Sequence, residues 1–234
     1  MYFRNFLLRA LPSEDAAALT PLLREVTLRQ GQGLYEPGDP VESLYFPSSA
    51  CISVVTVMRD GRQVETASVG RESAAVLLDA VTGQPATSQV FVQVGGSAAV
   101  LPAQAFRERL AVSASLVSLT LRHALATSKQ AELGVGCNLA HQAEGRMSRW
   151  VLMTQDRVGS EVLPLTQDYL AVMTGVQRST ISLIASALKA AGIIDYSRGI
   201  LTVLDREALM GRACECYPVS ERQFEGLRGA EIPS

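Results

Sequence analysis

The chain has 234 residues, a net charge of −2 and 47% hydrophobic content, enough for two modest domains with real cores and too apolar for a disordered chain. No apolar stretch is long and uncharged enough to span a bilayer, and residues 1–9, interrupted by charge, do not read as a signal peptide, so a cytoplasmic protein without membrane contact is expected. Residues 1–138 (11 Lys and Arg against 12 Asp and Glu) and 139–234 (10 against 11) each carry −1, so bulk charge offers no nucleic-acid signature and such a role must rest on local cations.

Residues 13–25 open with Ser13-Glu14-Asp15 before an Ala/Leu-rich stretch, and Pro21 divides it into two helical pieces. From about residue 26 to 101, short β-rich runs alternate with turns: Leu34-Tyr35-Glu36, then Pro37-Gly38-Asp39-Pro40; Leu44-Tyr45-Phe46, then Pro47; the β-branched run 52–58, then Asp60-Gly61, a strong hairpin signal. Runs at 64–69, 91–94 and 98–101 complete a pattern that indicates a β barrel, roll or sandwich. Residues 71–83 interrupt it as a short helix.

A single long helix is expected from Ala103 to about Val135, with Pro102 at its start. Leu116, Leu119, His123, Ala126, Gln130 and Leu133 fall on 3-4 spacing, a seam suited to a second copy of the helix, with packing on the chain's own β domain as the alternative. Gly134, Gly136 and Asn138 then read as a hinge, since paired glycines cost helix stability. Helix resumes over residues 141–153, with Met147, Trp150, Val151 and Thr154 inward, followed by a short strand at 161–163.

The most specific signal follows. Gln167, Ala171, Gly175, Ile181 and Ile184 are spaced as in a helix-turn-helix: a small residue where helices cross, a glycine at the turn, and apolar groups on one face of the second helix. Gln177, Arg178, Ser179 and Thr180 crowd the first turn of that helix, with Ser182 just beyond, where a recognition helix meets base edges and phosphates. Runs at 193–196 and 200–203 flank Ser197-Arg198-Gly199 as a hairpin wing with Arg198 at its tip, and residues 205–211 form a terminal helix.

Cys51, Cys137, Cys214 and Cys216 form neither Cys-x-x-Cys pairs nor a Cys/His zinc spacing, so no metal set is expected. His123 and His141 have no evident catalytic partners. With no phosphate loop or nucleophile elbow either, the chain does not read as an enzyme.

A β roll, a long helix and a winged helix-turn-helix, in that order, resemble the cyclic-AMP receptor protein / fumarate–nitrate regulator (Crp/Fnr) superfamily of bacterial transcription factors. The resemblance rests on Tyr35-Glu36-Pro37-Gly38-Asp39, Leu44-Tyr45-Phe46 and Asp60-Gly61 in the roll, and on Pro164-Leu165-Thr166-Gln167, Gly175-Val176-Gln177-Arg178-Ser179-Thr180-Ile181 and Ser197-Arg198-Gly199 near the C-terminus. It implies an α+β fold with a cyclic-nucleotide-binding-like sensor domain (1–102), a dimerisation helix and hinge (103–138), a winged helix-turn-helix DNA-binding domain (139–218) and a flexible tail (219–234).

The resemblance further implies a homodimer on two-fold related promoter DNA, with RNA polymerase a further candidate partner. Thr166 and Gln167 would anchor phosphates and Arg178 would read a guanine. Ser179 stands where cyclic-AMP-responsive members carry a glutamate. In the sensor, Ala74-Ala75 replace the family's Gly-Glu pair and Ala86-Thr87 its Arg-Ser pair, which removes the counter-charge for a cyclic phosphate. Control by cyclic AMP or cyclic GMP is therefore not expected, no cofactor is identified, and the effector is unknown. In this scheme the roll alters the packing of two long helices, and the hinge reorients the recognition helices. A ligand- or redox-sensing adaptor with secondary DNA binding is the alternative.

Overall fold

The computed structural model describes residues 4–227. Helices α1 (Phe6–Arg9) and α2 (Ser13–Leu19) precede a 3-10 turn at Thr20–Leu22. Asn5 caps α1 by accepting from the Leu8 amide, and its own side-chain amide donates to Pro47 and Ser73 carbonyls. One buried side chain thus ties the N-terminal segment to the roll.

Seven strands follow: β1 (Arg24–Leu28), β2 (Gly33–Tyr35), β3 (Ser43–Pro47), β4 (Cys51–Val57), β5 (Gln63–Val69), β6 (Gln89–Val94) and β7 (Gly96–Pro102). They form two antiparallel sheets, ordered β1-β7-β3 and β2-β6-β4-β5. Asp60-Gly61 lies in the β4–β5 turn, where the Met58 amide donates to Arg62 O at 2.8 Å. The helix expected over 71–83 is confined to α3 (Leu77–Thr82), because Ala75 is held in a bridge to Tyr45 and Val76 takes φ 56°.

Strand β4 is buried on both sides. Ile52 faces the apolar core of the roll, whereas Cys51 and Val55 pack with Met147 and Trp150. Double burial explains a β-branched run without polar alternation.

The single helix expected from Ala103 is two helices, α4 (Ala103–Leu110) and α5 (Ala114–Ala140), bent by 117°. Ser113 makes the corner: its hydroxyl accepts from the Leu116 amide and donates to Asp15, a fully buried carboxylate that also pairs with Arg109. Among the described residues no single helix is long and apolar enough to cross a membrane.

Three expectations for this region are corrected. First, Gly134, Gly136 and Asn138 do not break the helix: α5 continues through them, and the chain turns at His141–Gln142. Each glycine costs roughly 1 kcal/mol of helix propensity relative to alanine, but buried Cys137 anchors the turn that contains them. Second, Leu116, Leu119, His123 and Ala126 do not form an outward seam. They are buried in the chain's own interior, His123 with Nε2 2.6 Å from Ser73 Oγ, and Gln130 and Leu133 are half-buried. The outward stripe is Val117, Leu121, Leu125, Val135 and Leu139, with Leu121 63% and Leu139 85% exposed. Third, residues 219–227 are not a loose tail, as shown by the last helix below.

The C-terminal half comprises α6 (Ala143–Val158), β8 (Val162–Leu163), α7 (Gln167–Thr174), α8 (Arg178–Ala190), β9 (Ile194–Ser197), β10 (Ile200–Val203), α9 (Arg206–Arg212) and α10 (Cys216–Arg222). The strands form a small sheet ordered β8-β10-β9. Met147, Trp150, Val151 and Thr154 are buried on α6. Helix α10 and a 3-10 turn at Glu225–Leu227 hold Phe224 and Leu227 in the core, against the expected flexible tail; residues 228–234 of that tail lie outside the described residues.

Helix α6 docks the C-terminal half on the outer face of the β4-containing sheet. Trp150 Nε1 donates to Glu65 at 2.8 Å, and Ser53 donates to the same carboxyl at 2.7 Å. Arg157 donates to Glu72 at 2.7 Å and to Ser68 at 2.8 Å, a buried pair across the same junction. Burial pushes the Glu65 carboxyl up to about 7, although Ser53 and Trp150 act in the opposite direction.

Candidate nucleic-acid interface

Helix α7 begins where Thr166 accepts from the Tyr169 amide at 3.2 Å, an N-cap that satisfies one of the helix's orphan donors. It ends at Gly175, whose φ of 62° lets the chain reverse tightly into α8. Leu170, Ile181, Ile184, Ala185 and Leu188 bury the shared face of the two helices. That burial leaves Gln177, Arg178 and Ser179 exposed in the first turn of α8, with Thr180 and Ser182 half-buried.

The polar groups of this end are organised rather than loose. Ser182 Oγ donates to Gln167 Oε1 at 2.6 Å, joining α7 to α8. Arg178 Nε lies 3.4 Å from Asp168 Oδ1, with both side chains 66% exposed. An exposed pair of this kind contributes about 0–1 kcal/mol, so it can position the guanidinium without preventing its transfer to a stronger acceptor. Asp168 was not evident from the sequence as a partner of Arg178; its place in the first turn of α7 is the only signal.

Helix α8 presents Ser179, Leu183, Ser186 and Ala187 on its exposed face, Leu183 being 73% exposed. Lys189 lies away from the first turn of α8. It pairs with Asp195 at 2.7 Å and donates to Tyr196 O, bracing the far end of α8 against β9.

The wing turns at Arg198-Gly199, with φ values of 51° and 78°. Two successive positive φ values match the hairpin turn whose twist suits antiparallel strands. A Cβ on Gly199 would lie 3.3 Å from Thr166 Cγ2, so the wing tip and the start of α7 are neighbours. Arg198, Thr166, Gln167 and the first turn of α8 therefore belong to one end of the domain.

A cleft separates this end from the roll. Gly31, Glu36, Gln89 and Phe91 line one side, and Thr166, Asp168, Tyr169 and Val172 the other. The Phe91 and Tyr169 rings approach to 6.2 Å, and Gln30 donates to Pro164 O at 2.5 Å. In the roll, Ala74, Ala75 and Ala86 are buried in apolar core. Half-buried Arg71 places its guanidinium 5.5 Å from the Phe6 ring centroid.

The absence of a metal-ligand set, expected from cysteine spacing, does not survive the fold. Cys137, His141, Cys214 and Cys216 converge, with their ligand atoms all within 4.8 Å of one another. The sequence hid this because Cys137 and His141 lie at the end of α5 while the other two lie beyond α9.

Two protein-family models match the chain: a cyclic nucleotide-binding domain over residues 25–113 and a Crp-like helix-turn-helix domain over residues 145–212, together about two thirds of its length. No curated protein sequence matches it. Among solved structures, FixK2 from Bradyrhizobium japonicum is similar with a TM-score of 0.69 at 15% identity, covering 82% of this chain and 98% of that one. A CRP-family transcriptional regulator from Thermus thermophilus gives 0.66 at 16% identity, covering 81% and 96%. A CRP/FNR-family transcriptional regulator from the same organism gives 0.64 at 19% identity, covering 81% and 98%. With the sensor roll, the long helix and the helix-turn-helix in the family's order, the chain belongs to the Crp/Fnr family of transcription regulators.

Proposed function

We propose that the protein is a sequence-specific DNA-binding regulator that acts as a homodimer and does not respond to cyclic AMP. The observation that carries this reading is the exposed first turn of α8, where Arg178 stands beside Asp168 on a helix-turn-helix flanked by Arg198. In the major groove Arg178 would exchange Asp168 for the O6 and N7 of a guanine. Thr166, Gln167 and Arg198 would hold phosphates, with Gln177, Ser179, Thr180 and Ser182 around the reading arginine. Exposed Leu183 would meet a thymine methyl.

The exposed stripe Val117, Leu121, Leu125, Val135 and Leu139 supports dimerisation through α5, since apolar groups at this spacing lose water only against a partner. Two recognition helices then need a separation of about 34 Å, one turn of DNA. The buried Ala74, Ala75 and Ala86 support independence from cyclic nucleotides, because a cyclic phosphate in that interior would lack its charge partner. A regulator rather than an enzyme is the reading that this family membership favours.

The test is binding to promoter duplexes selected from a genomic library. Arg178→Ala is expected to lose about 1–3 kcal/mol, some 5- to 150-fold in affinity, and to relax preference at one base pair. Unchanged affinity and preference would remove Arg178 as a reader. Added cyclic AMP is expected to leave wild-type affinity unchanged, and a cyclic-AMP-dependent gain would overturn that part of the reading.

A further inference from the structure

We infer that Cys137, His141, Cys214 and Cys216 bind a single zinc ion that ties the end of the long helix α5 to the segment after α9. The site is separate from the DNA-facing end, and none of its side chains takes part in the helix-turn-helix. Cys137 and His141 are four residues apart at the C-terminal end of α5, so both project from one face. Cys214 and Cys216 flank Glu215 where the short link after α9 enters α10.

Their geometry is that of a closed four-ligand set. Cys137 Sγ lies 3.5 Å from Cys214 Sγ, and Cys216 Sγ lies 3.6 Å from His141 Nδ1. A tetrahedral zinc ion with bonds of about 2.3 Å to sulfur and about 2.0 Å to nitrogen places its ligands roughly 3.5–3.8 Å apart. All four ligand atoms lie within 4.8 Å of one another, so small rotamer adjustments complete the tetrahedron. Bridged iron–sulfur clusters hold their thiolates farther apart, which leaves a mononuclear ion. Three thiolates and one imidazole with no open position select zinc in a structural role.

The surroundings also fit. His141 Nε2, the nitrogen turned away from the thiols, lies 3.6 Å from Glu215 Oε1. A carboxylate behind a ligating imidazole fixes its tautomer and raises its basicity. The Cys214 amide donates to Gly145 O at 3.2 Å, and a Cβ on Gly145 would come within 3.3 Å of that amide nitrogen. Glycine therefore lets the cysteine-bearing link lie flat on the start of α6. Zinc with three thiolates and a neutral imidazole carries one net negative charge. Binding releases the thiol protons to solvent.

The ion's position gives it a consequence. It spans the corner at His141–Gln142 where α5 passes into α6, so it fixes how the DNA-binding half sits on the dimerisation helix. Metal loss would loosen that corner.

The experiment uses the full chain, purified anaerobically without chelator. Zinc is quantified by mass spectrometry, and the apo protein is titrated with cobalt(II), whose visible absorption reports geometry and thiolate ligation. One zinc per chain and one tetrahedral thiolate-bound cobalt per chain are expected. Cys214→Ser and Cys216→Ser should lose that signal, Cys51→Ser should keep it, and Glu215→Gln should weaken zinc binding about 10-fold. Absence of both metals, an octahedral cobalt spectrum, a Cys137–Cys214 disulfide in the anaerobic protein, or undiminished binding in Cys214→Ser would each overturn the site. If the serine variants do not fold, the wild-type cobalt stoichiometry and spectrum decide alone. DNA binding is measured on the same samples, so loss of the metal site and loss of the regulator reading are separately visible.

Discussion

The two faces of α5 are built from similar residues and do opposite things. One face sinks Leu116, Leu119, His123 and Ala126 into the chain's own interior, whereas the other leaves Val117, Leu121, Leu125, Val135 and Leu139 in water. Both stripes follow 3-4 spacing, and they are offset by only one or two residues. Periodicity identifies an amphipathic or doubly apolar helix, while its surroundings decide which stripe is core and which stays exposed. Here the arbiter is remote: Ser73, after β5, provides the polar partner that claims His123 for the inside.

The comparison breaks most visibly at the outward face. Leu121→Glu combined with Leu125→Glu should convert a dimer into a monomer, measured by light scattering, while the circular dichroism spectrum stays native. A variant that remains dimeric places the seam elsewhere. The inward face predicts the converse: Leu116→Ala should preserve the dimer but cost about 2–5 kcal/mol in denaturant unfolding, as for other fully buried leucines. A smaller cost with a change of mass would mean that the faces have been assigned in reverse.

The next effect sharpens the contrast between core contacts and docking contacts. Glu65 sits where α6 covers the roll, and its carboxyl is raised from 4.5 to about 7. A folded-state value above the unfolded one means that the native protein binds the extra proton, so this contribution is full below about pH 4.5 and lost as pH rises through 7. Wild-type stability should therefore fall between those limits relative to Glu65→Gln, whose amide mimics the neutral acid. Parallel pH profiles for the two proteins would show that Glu65 does not titrate at this junction.

The smallest effect concerns the glycines. In a continuous helix, Gly134→Ala and Gly136→Ala should each stabilise by about 0.5–1 kcal/mol, and an added Cβ meets nothing within 4 Å at either position. Loss of DNA response with no gain in stability would restore the hinge.

Local chemistry made the output end legible. The turn at Gly175, the apolar pair Ile181 and Ile184 and the wing tip at Arg198 each depend on neighbours within a few residues. The Asp60-Gly61 hairpin was legible for the same reason. The corner at Ser113 was not, because the buried Asp15 that fixes it comes from α2. Nor was the docking of α6 through Glu65 and Glu72, or the meeting of Cys137 and His141 with Cys214 and Cys216, since these contacts join residues 75–89 positions apart. Spacing rules for metal ligands assume that the ligands share a local unit, and here they do not.

The most direct test of the account is a titration of a selected promoter duplex with the full chain across a range of salt. Two chains per duplex are predicted, with affinity falling about 10³- to 10⁵-fold between roughly 50 and 200 mM salt if 6–10 phosphates are engaged. Saturation by a single chain, or an affinity indifferent to salt, would contradict a dimer that grips DNA through Thr166, Gln167, Arg178 and Arg198.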